Sequence, residues 1–210
     1  MRIFHKLMYL TLESDGGIPE IIESKWEYYI LASVLLELLA EGKIDVQDSQ
    51  IKVLTSEKTE DELSNFVLDE LRKQSSHTRI ASQIHELFDQ FSGNENFRKK
   101  FIAYLQKNNF IEVETKSFMG VNYKYVYKII DIETVKKLKK ELINSLNAND
   151  DHQNLILIYM LREMDILHNA VGEKNADKLS DGLKTRMQKL SFYNKFNKLV
   201  HEVNFASIFL

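Results

Sequence analysis

The chain has 210 residues, 44% of them hydrophobic, and a formal net charge of −3, enough material for a sizeable core in one large domain or two small ones. It contains no cysteine, which excludes disulfides, thiolate metal sites and cysteine nucleophiles together. One proline and seven glycines make few breaks, and that favours long helices over a many-stranded sheet.

Residues 3 to 13 read as a first helix or extended segment, with Ile3, Phe4, Leu7, Met8 and Leu10 apolar. Asp15-Gly16-Gly17 is a turn, and Pro19 rules out a long helix through that point. A helix is predicted over 24–41, with Ser24 as N-cap and Glu27 at capping-box spacing. Ile30, Leu31, Val34, Leu35, Leu36, Leu38 and Leu39 cover so much of its circumference that it belongs in the core. Gly42 is placed to end it in the left-handed conformation, and Lys43 puts a cation at the negative end of its dipole.

Residues 43–54 alternate around Asp48-Ser49, which predicts a hairpin pairing Ile44 and Val46 with Ile51 and Val53. Thr59 is expected to cap a helix through Lys73, and a further amphipathic helix is expected over 78–91. Helix 95–107 carries Arg98, Lys99 and Lys100 on its first turns. Residues 110–130 form a longer hairpin with its connection at Ser117 to Asn122, and Phe118 and Met119 stand at the tip beside Gly120. Helix 131–146 carries Lys136, Lys137, Lys139 and Lys140. Asn147 to Asp151 is a polar link, and a second core helix runs over 152–171. Helices over 175–191 and 194–210 close the chain. No repeat and no long linker appears, so residues 1–210 read as a single, mainly helical domain.

Charge is unevenly spread. Residues 1–95 hold 9 basic and 18 acidic residues, residues 96–140 hold 11 and 4, and residues 141–210 hold 8 and 9. A basic middle in an acidic chain is a footprint for an anionic partner, although a solvated lysine face gives the same bias. Three cations near a helix N-terminus oppose its dipole, whereas a bound phosphate there would use both the side chains and the free backbone N–H groups. Phe118 and Met119, flanked by Lys116 and Lys124, suit either an anionic membrane surface or a contact with another subunit.

No phosphate-binding glycine loop, nucleophile elbow or HExxH pair is present, and the six histidines are scattered. Arg162, Asp165 and His168 are expected to form a buried polar cluster on the second core helix, and Asp69 and Glu70 to lie on a solvated face. The chain is therefore not expected to be an enzyme, and no cofactor or metal is expected. No apolar run approaches the ~20 residues needed to span a bilayer. The N-terminal stretch is too polar after Leu12 for a signal peptide, so an intracellular, soluble protein is expected. The helix, Gly-Lys turn and hairpin at 28–54 could mimic a winged-helix nucleic-acid module. The acidic balance of residues 1–95 argues against it.

Four segments taken together carry more. LLELLAEGKIDV, DELSNFVLDELRK, FRKKFIAYLQKNNFIEVE with its hairpin, and LILIYMLREMDILHNAV resemble the Golgi phosphoprotein 3 family in order and spacing. The resemblance implies an all-α fold, a central helix bundle ringed by amphipathic helices with a protruding β-hairpin. It also implies a cytosolic protein bound peripherally to the Golgi membrane through phosphatidylinositol 4-phosphate or another anionic phospholipid headgroup, recruiting protein cargo tails.

The family's lipid site combines a tryptophan and an arginine ahead of the core-helix motif with two arginines before the hairpin. Aligned on Gly42, the tryptophan position falls at Ile22 and the arginine position at Leu31; aligned on Phe110 and Ile111, the other two fall at Glu95 and Arg98. Arg98 is retained, and Trp26 lies one helical turn from Ile22. The lipid-binding residues expected are thus Arg98, Lys99, Lys100 and Trp26, with Phe118 and Met119 as membrane or oligomer contacts. The alternative expectation is a protein-interaction module that forms a homo-oligomer through its hairpin and binds no lipid.

Overall fold

The computed structural model describes residues 1–11, 26–74, 78–90, 103–104, 106–107, 111–118, 121–129, 131–145 and 152–206. In chain order the elements are α1 (Ile3–Thr11), α2 (Trp26–Ala40), β1 (Ile44–Gln47), β2 (Gln50–Val53), α3 (Glu62–Lys73), α4 (Ile80–Phe88), β3 (Ile111–Phe118) and β4 (Val121–Ile129). They continue with α5 (Ile132–Asn144), α6 (His152–Glu163), α7 (Leu167–Val171), α8 (Glu173–Ser180), α9 (Leu183–Met187) and α10 (Tyr193–Ala206). The architecture is mainly helical with antiparallel hairpins, as expected.

Three helices make the centre. All nine residues of α1 are buried, His5 and Lys6 included. Helix α2 is buried from Ile30 through Leu39, and α6 from Leu155 through Ile158 and again at Met160 and Leu161. Each of the three packs against the other two, so apolar side chains on every face find cover. The outer helices bury one stripe each. Helix α3 uses Leu63, Val67, Leu68 and Leu71, α4 uses Ile80, Ile84, Leu87 and Phe88, and α5 uses Leu138 and Leu142.

Gly42 has φ +67°, the left-handed residue that ends α2. Gly42 N–H bonds to Leu39 O at 3.1 Å and Lys43 N–H to Leu38 O at 2.9 Å, which satisfies two carbonyls of the last turn. The same closure explains where the expected helix over 152–171 divides. Asp165 has φ +57°, with Asp165 N–H on Arg162 O and Ile166 N–H on Leu161 O. Aspartate tolerates this conformation better than most residues, so α6 ends and α7 begins anew. The break turns Arg162, Asp165 and His168 outward, and all three are exposed. The expected buried polar cluster is therefore corrected: Arg162 pairs with Glu163 at 3.1 Å and lies over the Tyr159 ring at 5.3 Å. Likewise the expected helix over 175–191 is two helices, parted at Gly182.

The first hairpin has the expected register, Ile44 opposite Val53 and Val46 opposite Ile51. Asp48 and Ser49 both take positive φ, as a two-residue turn of this hand requires. The Gln83 side chain of α4 then pairs with both Ile51 N–H and Ile51 O, at 2.7 and 3.1 Å, and so closes the edge of β2. In α3 the cap is Asp61 rather than Thr59, with Ser64 N–H bonding to its carboxylate at 2.7 Å. Thr59 instead bonds Asn65 and the Asp61 carbonyl. Asp69 and Glu70 form ion pairs with Arg72 and Lys73 one turn on, as a solvated helix face does.

The second hairpin pairs Ile111 with Ile129 through Phe118 with Val121, with an irregularity between Lys116 and Ser117. The expected connection at Ser117 to Asn122 is shorter, because Ser117 and Asn122 are themselves partners. Ser24, the turn at 15–17, Pro19 and most of the expected helix over 95–107 lie outside the described residues.

Candidate functional site

Arg98, Lys99, Lys100 and Met119 lie outside the described residues. Phe118 is the last residue of β3 and stands opposite Val121. Two residues before it, Lys116 stands directly opposite Lys124.

Trp26 opens α2 with its side chain 1% exposed, and its indole N–H donates to Thr11 Oγ1 at 2.9 Å. The Thr11 hydroxyl in turn donates to Met8 O at 3.1 Å. Trp26 thus pins the start of α2 to the end of α1, and its polar atom is spent inside the fold. Tyr28, on the same turn, stacks on Phe88 of α4 with ring centroids 3.5 Å apart. This end of α2 is a packed aromatic corner.

Leu31, at the family's arginine position, is 1% exposed in the main core. A leucine there serves packing and offers nothing to a phosphate. Glu95 and Ile22 lie outside the described residues.

At the opposite end of α2 the structure assembles a polar cluster that the periodicity did not single out. Glu37 is 3% exposed and accepts Ile3 N–H at 3.0 Å, which satisfies an orphan donor at the start of α1. Arg2 bridges Glu37, at 3.6 Å, and Glu41. Burial pushes the Glu37 carboxyl up to about 7, and the partly exposed Arg2 opposes this without cancelling it. Beside it, His5 Nε2 and the Tyr104 hydroxyl lie 2.8 Å apart, and that hydroxyl donates to Asp61 Oδ2 at 2.5 Å. Burial holds His5 down at about 4, so the ring is neutral at pH 7. Burial first, then Asp61, pushes the Tyr104 phenol far above its usual range.

The cluster joins α1, α2, the capping residue of α3 and the helical residues around Tyr104. Its carboxylates are committed to N–H donors, Arg2 or Tyr104, and its phenol stays protonated. It is a structural lock rather than acid–base machinery. The sequence signal for it existed: Glu37 interrupts an apolar run, and His5-Lys6 interrupts another.

A cleft of about 410 Å³ lies between α3 and α4, lined by Glu70, Lys73, Gln74, Thr78, Glu86, Asp89 and Gln90. Its carboxylates outnumber its one cation, and Lys73 already pairs with Glu70 at 2.5 Å. That balance repels a phosphate. Among the described residues no group of His, Asp and Glu is arranged to hold a metal ion, and no helix is long and apolar enough to cross a membrane.

A family model described as Golgi phosphoprotein 3 (GPP34) matches residues 3–202. No curated protein matches the chain.

Proposed function

The chain belongs to the Golgi phosphoprotein 3 family, a family of adaptors rather than enzymes, and from that membership we propose that it is a peripheral adaptor for anionic phospholipid. The match over residues 3–202 carries the reading. Arg98, Lys99 and Lys100 meet the lipid phosphates, and Phe118 and Met119 enter the interface. Trp26 fixes the start of α2 against the end of α1.

The headgroup need not be phosphatidylinositol 4-phosphate. Leucine at position 31 removes one family donor, and selective binding of a phosphomonoester draws on several, often a bidentate arginine. Binding through general charge is modest and salt-sensitive, with about 1 kcal/mol per surface cation. Flotation with vesicles of anionic lipid tests this. The variant Arg98→Gln/Lys99→Gln/Lys100→Gln should float at least tenfold less than wild type, about 1 kcal/mol per cation being the scale of the loss. Unchanged flotation removes the site.

A second reading is favoured by the hairpin itself. The β3–β4 sheet has two strands, so its outer edges are unpaired among the described strands, and an open edge is a template for a second copy. If the hairpin assembles the protein through its tip, Phe118→Ser/Met119→Ser lowers the mass measured by light scattering, and if it does so through its edges, Glu112→Pro lowers it. A mass unchanged in both variants ends this reading.

A further inference from the structure

We propose that the outer face of α5 is a second contact with the anionic membrane, separate from the residues before the hairpin. The proposal rests on the membrane reading above and extends it to a surface that the structure describes in full. Helix α5 packs on α1 and α7 and buries only Leu138 and Leu142. The opposite side is open. Lys136 and Lys137 are 67% and 77% exposed, and Lys140 is also exposed. Ile132, on the first turn, is 61% exposed, one of the few large apolar residues left in water among those described.

Helical spacing sets Lys136, Lys139 and Lys140 four, seven and eight residues from Ile132, so they share a side with it. The helix carries two opposing charges, and its N-cap, the exposed Asp131, adds a third. Glu133 pairs with Lys136 at 2.7 Å and Glu141 with Lys137 at 4.0 Å. Glu133 is well exposed and Glu141 about half so, and pairs open to solvent hold their lysines weakly. Lys139 and Lys140 have no ion pair among the described residues.

The chemistry of this face selects its occupant. Among the described residues it is the exposed side of one helix, with Ile132, Lys136 and Lys137 in water. Long lysines around one apolar residue suit an extended anionic sheet, where the ammonium groups reach phosphates and the isoleucine enters the interface.

The test uses the full chain and vesicles of phosphatidylcholine with and without phosphatidylserine. Lys136→Gln/Lys137→Gln/Lys139→Gln/Lys140→Gln should reduce binding to the anionic vesicles by about a hundredfold or more, at about fivefold for each lysine. Ile132→Ser should reduce it by several-fold. A control of equal charge change, Lys174→Gln/Lys178→Gln/Lys184→Gln/Lys189→Gln, should bind as wild type does. Circular dichroism confirms that each variant is folded, and should the fourfold α5 variant fail to fold, Lys139→Gln/Lys140→Gln replaces it with a loss of about twenty-fivefold expected. Equal losses in the α5 and control variants overturn the proposal, because net charge alone would then explain binding. An α5 variant that binds as wild type does overturns it and leaves the membrane reading standing. A wild type that binds no anionic vesicle overturns both. A lower mass of the α5 variant without vesicles overturns the proposal in favour of pairing with the acidic half of a second copy.

Discussion

Arginine at position 31 should unfold the protein rather than restore the family's phosphate site. Leu31 lies on α2, which packs against α1, α3, α6 and α10, and it is 1% exposed. A guanidinium at this point enters a core that supplies it no buried carboxylate free of a partner among the described residues. Glu27, one turn back, is already engaged. Burying a charge without a partner is among the few single changes that cost about 3 kcal/mol or more. Leu31→Met, which keeps volume and polarity, should cost less than about 1.5 kcal/mol. Thermal melts of the two variants decide the point. A Leu31→Arg protein that melts with wild type would show that this position still opens onto a ligand site.

Removing the charge on Glu37 should change how stability depends on pH. Its carboxyl is raised to about 7 by burial, against an unfolded value near 4.5. Between these values the folded state binds the extra proton, so stability falls as pH rises through the window. His5 has the opposite sign. It is lowered to about 4 against about 6.5 when unfolded, and the unfolded state binds the proton between the two, so stability rises with pH there. The two slopes offset each other from about pH 4.5 to 6.5, and above that Glu37 acts alone. Wild type should therefore be level across the acid range and weaken toward about pH 8.

Glu37→Gln still offers an oxygen to Ile3 N–H and leaves Arg2 with Glu41. It should gain about 2 kcal/mol at about pH 8, and below about pH 6.5 it should show the His5 slope uncompensated. Urea titrations from about pH 5 to 8 read both effects. A variant as level as wild type between about pH 4.5 and 6.5, with no uncompensated His5 slope, would show that Glu37 is ionised throughout.

The sequence by itself determined the elements and the family. Apolar spacing marked α2 and α6 as central, Gly42 marked the end of α2, and alternation set the register of the first hairpin, because each of these is a local consequence of backbone geometry. Four motifs in order identified the family, since order and spacing survive when single residues change.

Tertiary structure alone decided what those residues face. Trp26 reads as an amphipathic residue free to meet a ligand, but the end of α1 lies beside it and Thr11 takes its N–H. Asp165 reads as mid-helix, but the fold turns there, and the polar residues around it become exposed. His5, Glu37, Asp61 and Tyr104 are distant in the chain, and only packing brings them into one cluster. Periodicity reports which side of an element is apolar. Whether that side meets water, a carboxylate or another helix depends on contacts between elements far apart in sequence, and local spacing carries no record of them.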